Sequence, residues 1–243
     1  MQIHLVFATN ELRLPMAHQR AIQGMIYHGL EQDTDYLSFL HDQGYSDGIR
    51  QFKAFTFSNL QGQYAVENGE LVFHGPVSLE IRSADPRFIQ LLLRYFENGA
   101  RCHLLKNELI VQSCQLDDRH IMGECIDVEM LSPAVVYRTE EEKTRFFSPC
   151  DPEFYGMIAT NAARRWESIY GFPMPGSLVL EPLEPENRYR KVVTRYKQTY
   201  ITGWKGKFRL WGYAPVLDLL YQTGLGVKNS QGFGMFEVVG NSR

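Results

Sequence analysis

The chain has 243 residues, of which 44% are hydrophobic and 22% are charged, and its formal net charge is −3. This composition is typical of a folded globular protein and excludes a disordered one. No apolar run approaches the roughly 18 residues that a membrane-spanning helix needs, and the N-terminus lacks the basic segment of a secretory signal, so we expect a cytoplasmic protein with no membrane partner.

The first half of the sequence alternates between strand and helix patterns. Apolar residues at every second position predict a strand over 3–7, and an apolar face with helical spacing predicts a helix after Pro15. The next predicted elements, in chain order, are a short helix "DYLSFLHDQG", a strand "FKAFTFSNL", two strands within 64–82, a helix that begins after the N-cap Asp85, and a strand "RCHLLKNELIVQ".

The second half repeats this order. A strand "CIDVEMLSPAVVYR" precedes a helix "DPEFYGMIATNAARRWESIYG", and strands near 177–183 and 203–211 precede a helix over 214–222 and a last strand "GMFEVVG". Strand–helix–strand–strand–helix–strand is the ferredoxin-like order. We therefore predict an α+β fold of two tandem ferredoxin-like (RRM-like) domains, residues 1–123 and residues 124–243.

A basic segment lies in the second half. Residues 187–217 contain eight basic residues and no acidic one, whereas residues 1–125 contain 15 acidic residues against 10 basic ones. Lys205, Lys207 and Arg209 alternate with small or apolar residues, so a continuous strand would place the three cations on one face. Aromatic residues lie among the basic ones, and cations combined with aromatic rings suit the binding of single-stranded RNA. The alternative is a solvated outer face of a sheet.

A glycine-rich stretch, "TGLGVKNSQGFGMFEV", lies between the last predicted helix and the last strand. Its glycines follow a helix and precede a strand, which is the reverse of a dinucleotide-binding fingerprint, so that interpretation is rejected. An ordinary glycine-rich turn is one remaining interpretation. The other is a cradle whose backbone N–H groups meet phosphates, with Lys228 adding charge.

Four stretches together resemble a known family. The loop "GLGVKNSQGFG", with "HQRAIQGMIYHGL", "LHDQGYSDGIRQFKAFTFSNL" and "LSPAVVYR…SPCDPEFYGMIATNAARRW", resembles the RAMP superfamily of CRISPR-associated proteins over nearly the whole chain. Within it, the chain looks like the Cas-six-type endoribonucleases that cut precursor CRISPR RNA within its repeats. The resemblance implies metal-independent cleavage by the RNA's own 2′-hydroxyl, which leaves a 2′,3′-cyclic phosphate and a 5′-hydroxyl, and it implies no cofactor and no metal site.

The resemblance also implies a catalytic trio, Tyr27, His41 and Lys53. His41 would act as general base or acid, Tyr27 as its partner at the 2′-hydroxyl, and Lys53 as the cation that stabilises the charged phosphorane. At 100° per residue, Tyr27 lies about 125° from the centre of its helix's apolar face, so it is not a central core residue. A structural tyrosine and a surface histidine are the alternatives.

CRISPR repeat RNA is the expected partner, and subunits of an effector complex and a second copy of the chain are further expected partners. Because the first half is acidic, we expect RNA to lie mainly on the second domain, with only the scissile phosphate reaching the first. The predicted RNA-binding residues are Arg190, Lys191, Arg195, Lys197, Lys205, Lys207, Arg209, Gly224, Gly226, Lys228, Asn229, Ser230, Gly232 and Gly234.

Two other functions fit parts of the sequence. A RAMP subunit without catalytic activity would bind guide RNA inside an effector complex, and an unrelated ferredoxin-like enzyme would act on a small anionic substrate. The trio favours an endoribonuclease over the first alternative, and the basic, aromatic segment favours an RNA-binding protein over the second.

Overall fold

The computed structural model describes residues 1–46, 48, 50–141 and 143–240. The elements of the first half are β1 (Gln2–Ala8), β2 (Glu11–Pro15), α1 (Gln19–Gly29), α2 (Thr34–Ser38), β3 (Tyr45–Ser46), β4 (Gln51–Phe52), β5 (Phe55–Phe57), β6 (Gln61–Glu67), β7 (Glu70–Ser83), α3 (Pro86–Tyr95), β8 (Arg101–Leu104) and β9 (Asn107–Asp117). Those of the second half are β10 (Cys125–Met130), β11 (Tyr137–Glu140), β12 (Lys143–Phe146), α4 (Glu153–Tyr170), β13 (Val179–Pro182), β14 (Arg190–Tyr196), β15 (Thr199–Lys205), β16 (Lys207–Trp211), α5 (Ala214–Thr223) and β17 (Phe236–Gly240). None of the described helices is long and apolar enough to cross a membrane.

The first sheet has the strand order β5-β7-β1-β9, with every pair antiparallel. Strands β2 and β6 extend it along β7, and β8 extends it along β9. The alternation in β1 decides which face is covered, since Ile3, Leu5 and Phe7 are buried and His4 is exposed. Helices α1 and α3 share one hydrophobic core with this face.

The second sheet repeats the topology of the first. Its order is β13-β16-β10-β17, and α4 and α5 share its core. In both sheets the first strand of the unit lies between the third and the fourth, which is the ferredoxin-like order. The tandem ferredoxin-like prediction is therefore confirmed. The predicted division after residue 123 falls in the segment between Asp117 and Cys125 that joins the sheets.

A buried arginine joins the two units. Arg82 on β7 is fully buried, and its Nη1 donates to the carbonyl of Phe236 at 2.6 Å while its Nη2 donates to Glu237 at 3.0 Å. Its guanidinium also stacks 3.8 Å from the centre of the Tyr221 ring. These contacts fix the second unit against the first, because a guanidinium binds planar partners in a fixed geometry.

Three strand predictions need correction. The segment 101–112 forms a hairpin rather than one strand, with Leu105 at φ +57° in its turn. The predicted strand over 125–138 ends at Met130, and the next strand begins only at Tyr137. The β2 strand was not predicted. The predicted strand over 203–211 is broken at Gly206, where a Cβ would lie 2.3 Å from the Tyr189 ring. Lys205 therefore ends the β14–β15 hairpin, while Lys207 and Arg209 belong to the second sheet, and the three cations share no continuous strand face.

The glycine loop, residues 224–234, folds tightly against protein backbone rather than around an open cradle. A Cβ on Gly226 would lie 2.4 Å from the Val135 carbonyl oxygen, and one on Gly234 would lie 2.1 Å from the Leu225 carbonyl oxygen. The N–H groups of Gly224, Gly232 and Gly234 donate to Leu220, Asn229 and Pro133 respectively. The prediction that glycine amides of this loop meet phosphates is thus wrong for these three, because their hydrogen bonds are used within the protein.

The glycine loop surrounds the buried side chain of Arg165, which comes from α4. The guanidinium donates five hydrogen bonds, and every acceptor is neutral: Thr223 Oγ1, Gly224 O, Gly226 O, Asn161 Oδ1 and Asn229 Oδ1. Burial lowers the pKa of Arg165 to about 10, because desolvation disfavours the charged form. The loop carbonyls are thus turned inward, toward a cation.

The close backbone approach at Gly234 predicts a large loss of stability on substitution. Gly234→Ala meets both a φ of +78° and the 2.1 Å contact, whereas the control Gly176→Ala meets only a φ of +71°, with nothing within 4 Å. The shared φ penalty is about 1–2 kcal/mol, and we expect the Gly234 variant to lose about 1–3 kcal/mol more from the clash. Urea denaturation of both variants measures this, and equal losses would contradict the packing described.

Candidate active site

A cavity of about 640 Å³, the first cavity, lies between the two units. Helix α1, the turn that follows α2 and Lys53 line it from the first unit, and Tyr196, Lys197, Ser230 and Gln231 line it from the second. All three residues of the predicted trio, Tyr27, His41 and Lys53, lie in its wall. The structure therefore brings together side chains from three separate segments of the sequence.

One face of α1 forms the floor of the first cavity. Arg20, Gln23, Gly24 and Tyr27 stand at positions i, i+3, i+4 and i+7 and all line the cavity, because residues at this spacing share one side of a helix. Sequence reasoning found Tyr27 alone. The same spacing, counted backwards from Tyr27, would have identified the other three.

Lys53 and Tyr27 are in direct contact. Lys53 Nζ donates to Tyr27 Oη at 2.9 Å and lies 3.5 Å from the His41 carbonyl oxygen. Burial, and to a smaller extent the nearby Tyr196, raises the pKa of Tyr27, and burial lowers the pKa of Lys53, although Asp42 opposes this shift. The phenol is therefore held neutral, with its oxygen occupied by the lysine and its proton free to be donated to a ligand.

His41 lies in a single turn of π-helix, Phe39–Gln43, that extends α2 and ends at Gly44. Gly44 has a φ of +57°, and a Cβ there would lie 2.7 Å from the Phe52 carbonyl oxygen, so the turn is closed against β4. The helix end predicted near Gly44 is confirmed, with a wider last turn than expected. A π turn changes the direction in which a side chain leaves the helix, and such turns recur at functional sites.

The His41 ring is 73% exposed, and its Nδ1 lies 2.7 Å from Asp42 Oδ1. An ionised carboxylate only accepts hydrogen bonds, so in this contact Nδ1 carries the hydrogen. In the neutral ring Nε2 then holds a lone pair, and it is the nitrogen that can take a proton from a substrate.

Gln23 connects α1 to the second unit. Its Nε2 donates to the Ser230 carbonyl at 2.6 Å, and its Oε1 accepts from the Tyr196 hydroxyl. Beside this contact Gly232 packs against the Phe57 ring, where a Cβ would lie 2.7 Å from a ring carbon. These contacts hold the glycine loop as one wall of the first cavity.

The predicted RNA-binding cations lie in different places. Lys197, at the turn of the β14–β15 hairpin, lines the first cavity, and Arg190 and Arg195 line a separate groove that also contains Tyr200. Lys191 is exposed on the same hairpin, and Lys205 ends it beside Arg190.

Lys207 and Arg209 do not extend this group of cations. Lys207 Nζ lies 3.4 Å from Glu129, and Arg209 binds Asp127 through two hydrogen bonds of 2.6 and 2.8 Å. The reason is register, since β10 places Glu129 opposite Lys207 and Asp127 opposite Arg209. The sequence pattern of β16 alone could not reveal these partners.

Comparison with known proteins places the chain in context. The sequence profile described as "CRISPR associated protein Cas6, C-terminal" matches residues 116–238. The chain is 23% identical over 235 residues to the "CRISPR-associated endoribonuclease Cas6" of Pyrococcus furiosus, covering 94% of this chain and 85% of that one. It is 25% identical over 244 residues to "CRISPR-associated endoribonuclease Cas6 1" of Methanocaldococcus jannaschii, covering 97% and 91%.

Solved structures share the fold. A structure titled "Characterization of a Cas6-related gene from Pyrococcus furiosus" has a TM-score of 0.82 at 18% identity and covers 98% of each chain. One titled "An RAMP protein binding different RNA substrates" has a TM-score of 0.81 at 20% identity, covering 99% of this chain and 100% of that one. At these identities the likeness concerns the fold.

Proposed function

The chain belongs to the CRISPR-associated Cas6 family, and on that premise we propose that it is an endoribonuclease that cuts precursor CRISPR RNA within its repeats. The observation that carries the proposal is the convergence of Tyr27, His41 and Lys53 in the first cavity, with Lys53 bonded to Tyr27 at 2.9 Å. The names of the two relatives from Pyrococcus and Methanocaldococcus support the same activity. Effector subunits and a second copy of the chain stay predictions as partners.

The first cavity has the chemical character that an RNA strand requires. Arg20, Lys53 and Lys197 supply positive charge around it, while the carboxylates of Glu31 and Asp42 stand in the same wall. Asp42 is engaged with His41 at 2.7 Å. Phosphate would therefore be attracted to the side formed by the three cations.

The proposed reaction is an internal transesterification. The ribose 2′-oxygen attacks the adjacent phosphorus, a new O2′–P bond forms, and the P–O5′ bond breaks to give a cyclic phosphate and a free 5′-hydroxyl. His41 Nε2 takes the 2′-proton, since Nδ1 is bonded to Asp42. Tyr27 donates its proton to the departing 5′-oxygen and is reprotonated by Lys53, whose charge stabilises the phosphorane.

The neutral state of Tyr27 favours this assignment over the reverse one. A phenol whose pKa is raised by burial is a poor general base at neutral pH, because almost none of it is ionised. The same phenol can still donate, and the ammonium group of Lys53 at 2.9 Å offsets negative charge as it develops on the phenolic oxygen.

The direct test is incubation with repeat RNA in the presence of EDTA, followed by mapping of the product ends. We expect a single cut per repeat, with a 2′,3′-cyclic phosphate on one product and a 5′-hydroxyl on the other, because none of the proposed steps uses a metal ion. Replacing the 2′-hydroxyl of the scissile nucleotide with hydrogen is the control, and it should stop cleavage while RNA is still bound. RNA that is retained but never shortened would favour the RAMP subunit without catalytic activity.

The roles of His41 and Tyr27 can be separated with a sulfur leaving group. We expect His41→Ala to slow cleavage about 100- to 10,000-fold, as loss of a general base does. On RNA with sulfur in place of the 5′-bridging oxygen, which departs without a proton, Tyr27→Phe should recover most of its lost rate and His41→Ala should not.

Both variants are measured in single-turnover assays, with affinity for the 2′-deoxy RNA as the control for folding and binding. Rescue of His41→Ala by sulfur, with no rescue of Tyr27→Phe, would reverse the two assignments.

Gly24 predicts direct contact between RNA and the backbone of α1. It lies in the helix interior, lines the first cavity, and has nothing within 4 Å of the position of a Cβ. Gly24→Ala should therefore raise the free energy of unfolding by about 0.5–1 kcal/mol, as glycine replacement in a helix does, yet weaken RNA binding or cleavage at least several-fold.

Gly156→Ala is the matched control. Gly156 is an exposed glycine of α4, also with nothing within 4 Å, and it lies outside the first cavity. It should show the gain in stability without any loss of activity. If the two variants behave alike in RNA assays, RNA does not approach α1 at Gly24.

A further inference from the structure

A second cavity, of about 340 Å³, lies beside the first. Lys53, Ser230 and Gln231 line both cavities, so the two share a wall. The rest of the second cavity is formed by β4 with its flanking residues, by Tyr137, by α4 and by the glycine loop. A strand of RNA that places its scissile phosphate against Lys53 would thus have its neighbouring linkage close to this opening.

The lining of the second cavity is cationic. Lys53, Arg165 and Lys228 contribute to it, and none of the described lining residues is acidic. Lys228 Nζ lies 5.1 Å from the centre of the Tyr137 ring, which orients the ammonium group without neutralising it.

One cation of this lining, Arg165, is buried without a carboxylate partner among the described residues. It is only 2% exposed, and its five hydrogen-bond acceptors are carbonyl, amide and hydroxyl oxygens. No carboxylate pairs with it among the residues that the structure describes. A buried cation without a counter-charge is costly, and a bound anion in the adjoining cavity would compensate it.

Asn161 supplies an unused donor in the same wall. The residue is 4% exposed, and its Oδ1 accepts from Arg165 Nη2 at 2.9 Å. Because a guanidinium only donates, the oxygen of the amide must face Arg165, and this fixes the orientation of the amide. Asn161 Nδ2 then has no hydrogen-bond partner. Buried donors of this kind are rare in native proteins and are expected to meet an acceptor.

We propose that the second cavity is a subsite for one phosphodiester of the RNA, next to the scissile linkage. The inference rests on the proposed function and names a further contact of the same substrate. Phosphate oxygens carry negative charge and only accept hydrogen bonds, so they match both the cationic lining and the donor of Asn161. The subsite would fix which linkage stands at the trio, because two phosphates held at once set the register of the strand.

Methylphosphonate substitution tests the subsite. Each phosphodiester near the cut is replaced in turn by an uncharged methylphosphonate, in RNA whose scissile 2′-hydroxyl is removed, and the affinity is measured. For the wild-type chain we expect at least a tenfold loss of affinity at one linkage beside the scissile one. Lys228→Gln should lower the affinity for the unmodified RNA by a similar factor. The variant combined with the methylphosphonate at that linkage should lower the affinity little more than either change alone.

Asn161→Asp is the second variant. The carboxylate keeps an oxygen for Arg165 and adds the missing negative charge, so thermal unfolding should occur at or above the wild-type temperature while RNA affinity falls at least tenfold. A structural role of Asn161 alone would leave affinity unchanged in a folded variant. If this variant does not fold, the test rests on Lys228→Gln: its affinity loss must be non-additive with the methylphosphonate at one linkage and additive at the others.

Lys106→Gln is the matched control, since Lys106 is an exposed lysine in the β8–β9 turn and lines neither cavity. We expect Lys106→Gln to lower the affinity for RNA only slightly, and by the same factor whichever linkage carries the methylphosphonate. A subsite for free inorganic phosphate would couple to no particular linkage, and that outcome overturns the proposal. Normal cleavage with uniform methylphosphonate effects overturns the subsite alone, whereas absence of any RNA binding overturns the endoribonuclease proposal with it.

Discussion

The enclosure of Arg165 by the glycine loop is the interaction on which the site depends. A guanidinium buried without a carboxylate must collect oxygen dipoles, and the loop provides two backbone carbonyls, while Thr223, Asn161 and Asn229 provide side-chain oxygens. To point these groups inward the chain must turn sharply and pass close to itself. That requirement explains glycine at 226 and 234, where any side chain would strike a carbonyl oxygen.

The outer surface of the same loop forms the walls of both cavities. Ser230 is held by Gln23 of α1, and Gly232 packs on Phe57 of β5, so the loop is fixed by the second unit from within and by the first unit from without. The trio belongs entirely to the first unit, yet the space in front of it is closed by residues of the second. A site of this kind exists only when both units are folded and docked, and Arg82 of β7 helps to hold them together.

The positions of the cations that line the cavities do not follow the net charges of the two halves of the chain. The second half carries the basic segment, but cross-strand partners on β10 neutralise Lys207 and Arg209. Cations near the cavities come from both units, among them Arg20 and Lys53 from the first and Lys197 and Lys228 from the second. The first unit, although acidic as a whole, therefore contributes cations to the cavity at α1 and just after β4, beside the carboxylates of Glu31 and Asp42.

The sequence by itself determined the tandem repeat and the order of its main elements, and the proposed trio was chosen from it. Alternation and helical spacing depend on neighbours in the chain, and short motifs carried the family resemblance. Only the tertiary structure decided which cations are paired, where a predicted strand is broken, and which atoms the glycines approach, because each depends on residues distant in sequence. Asp127 pairs with Arg209, and the Tyr189 ring lies against Gly206. The Val135 carbonyl lies against Gly226. The inward role of Arg165 had no local signal, since an arginine on an amphipathic helix is expected to be exposed until its partners are known.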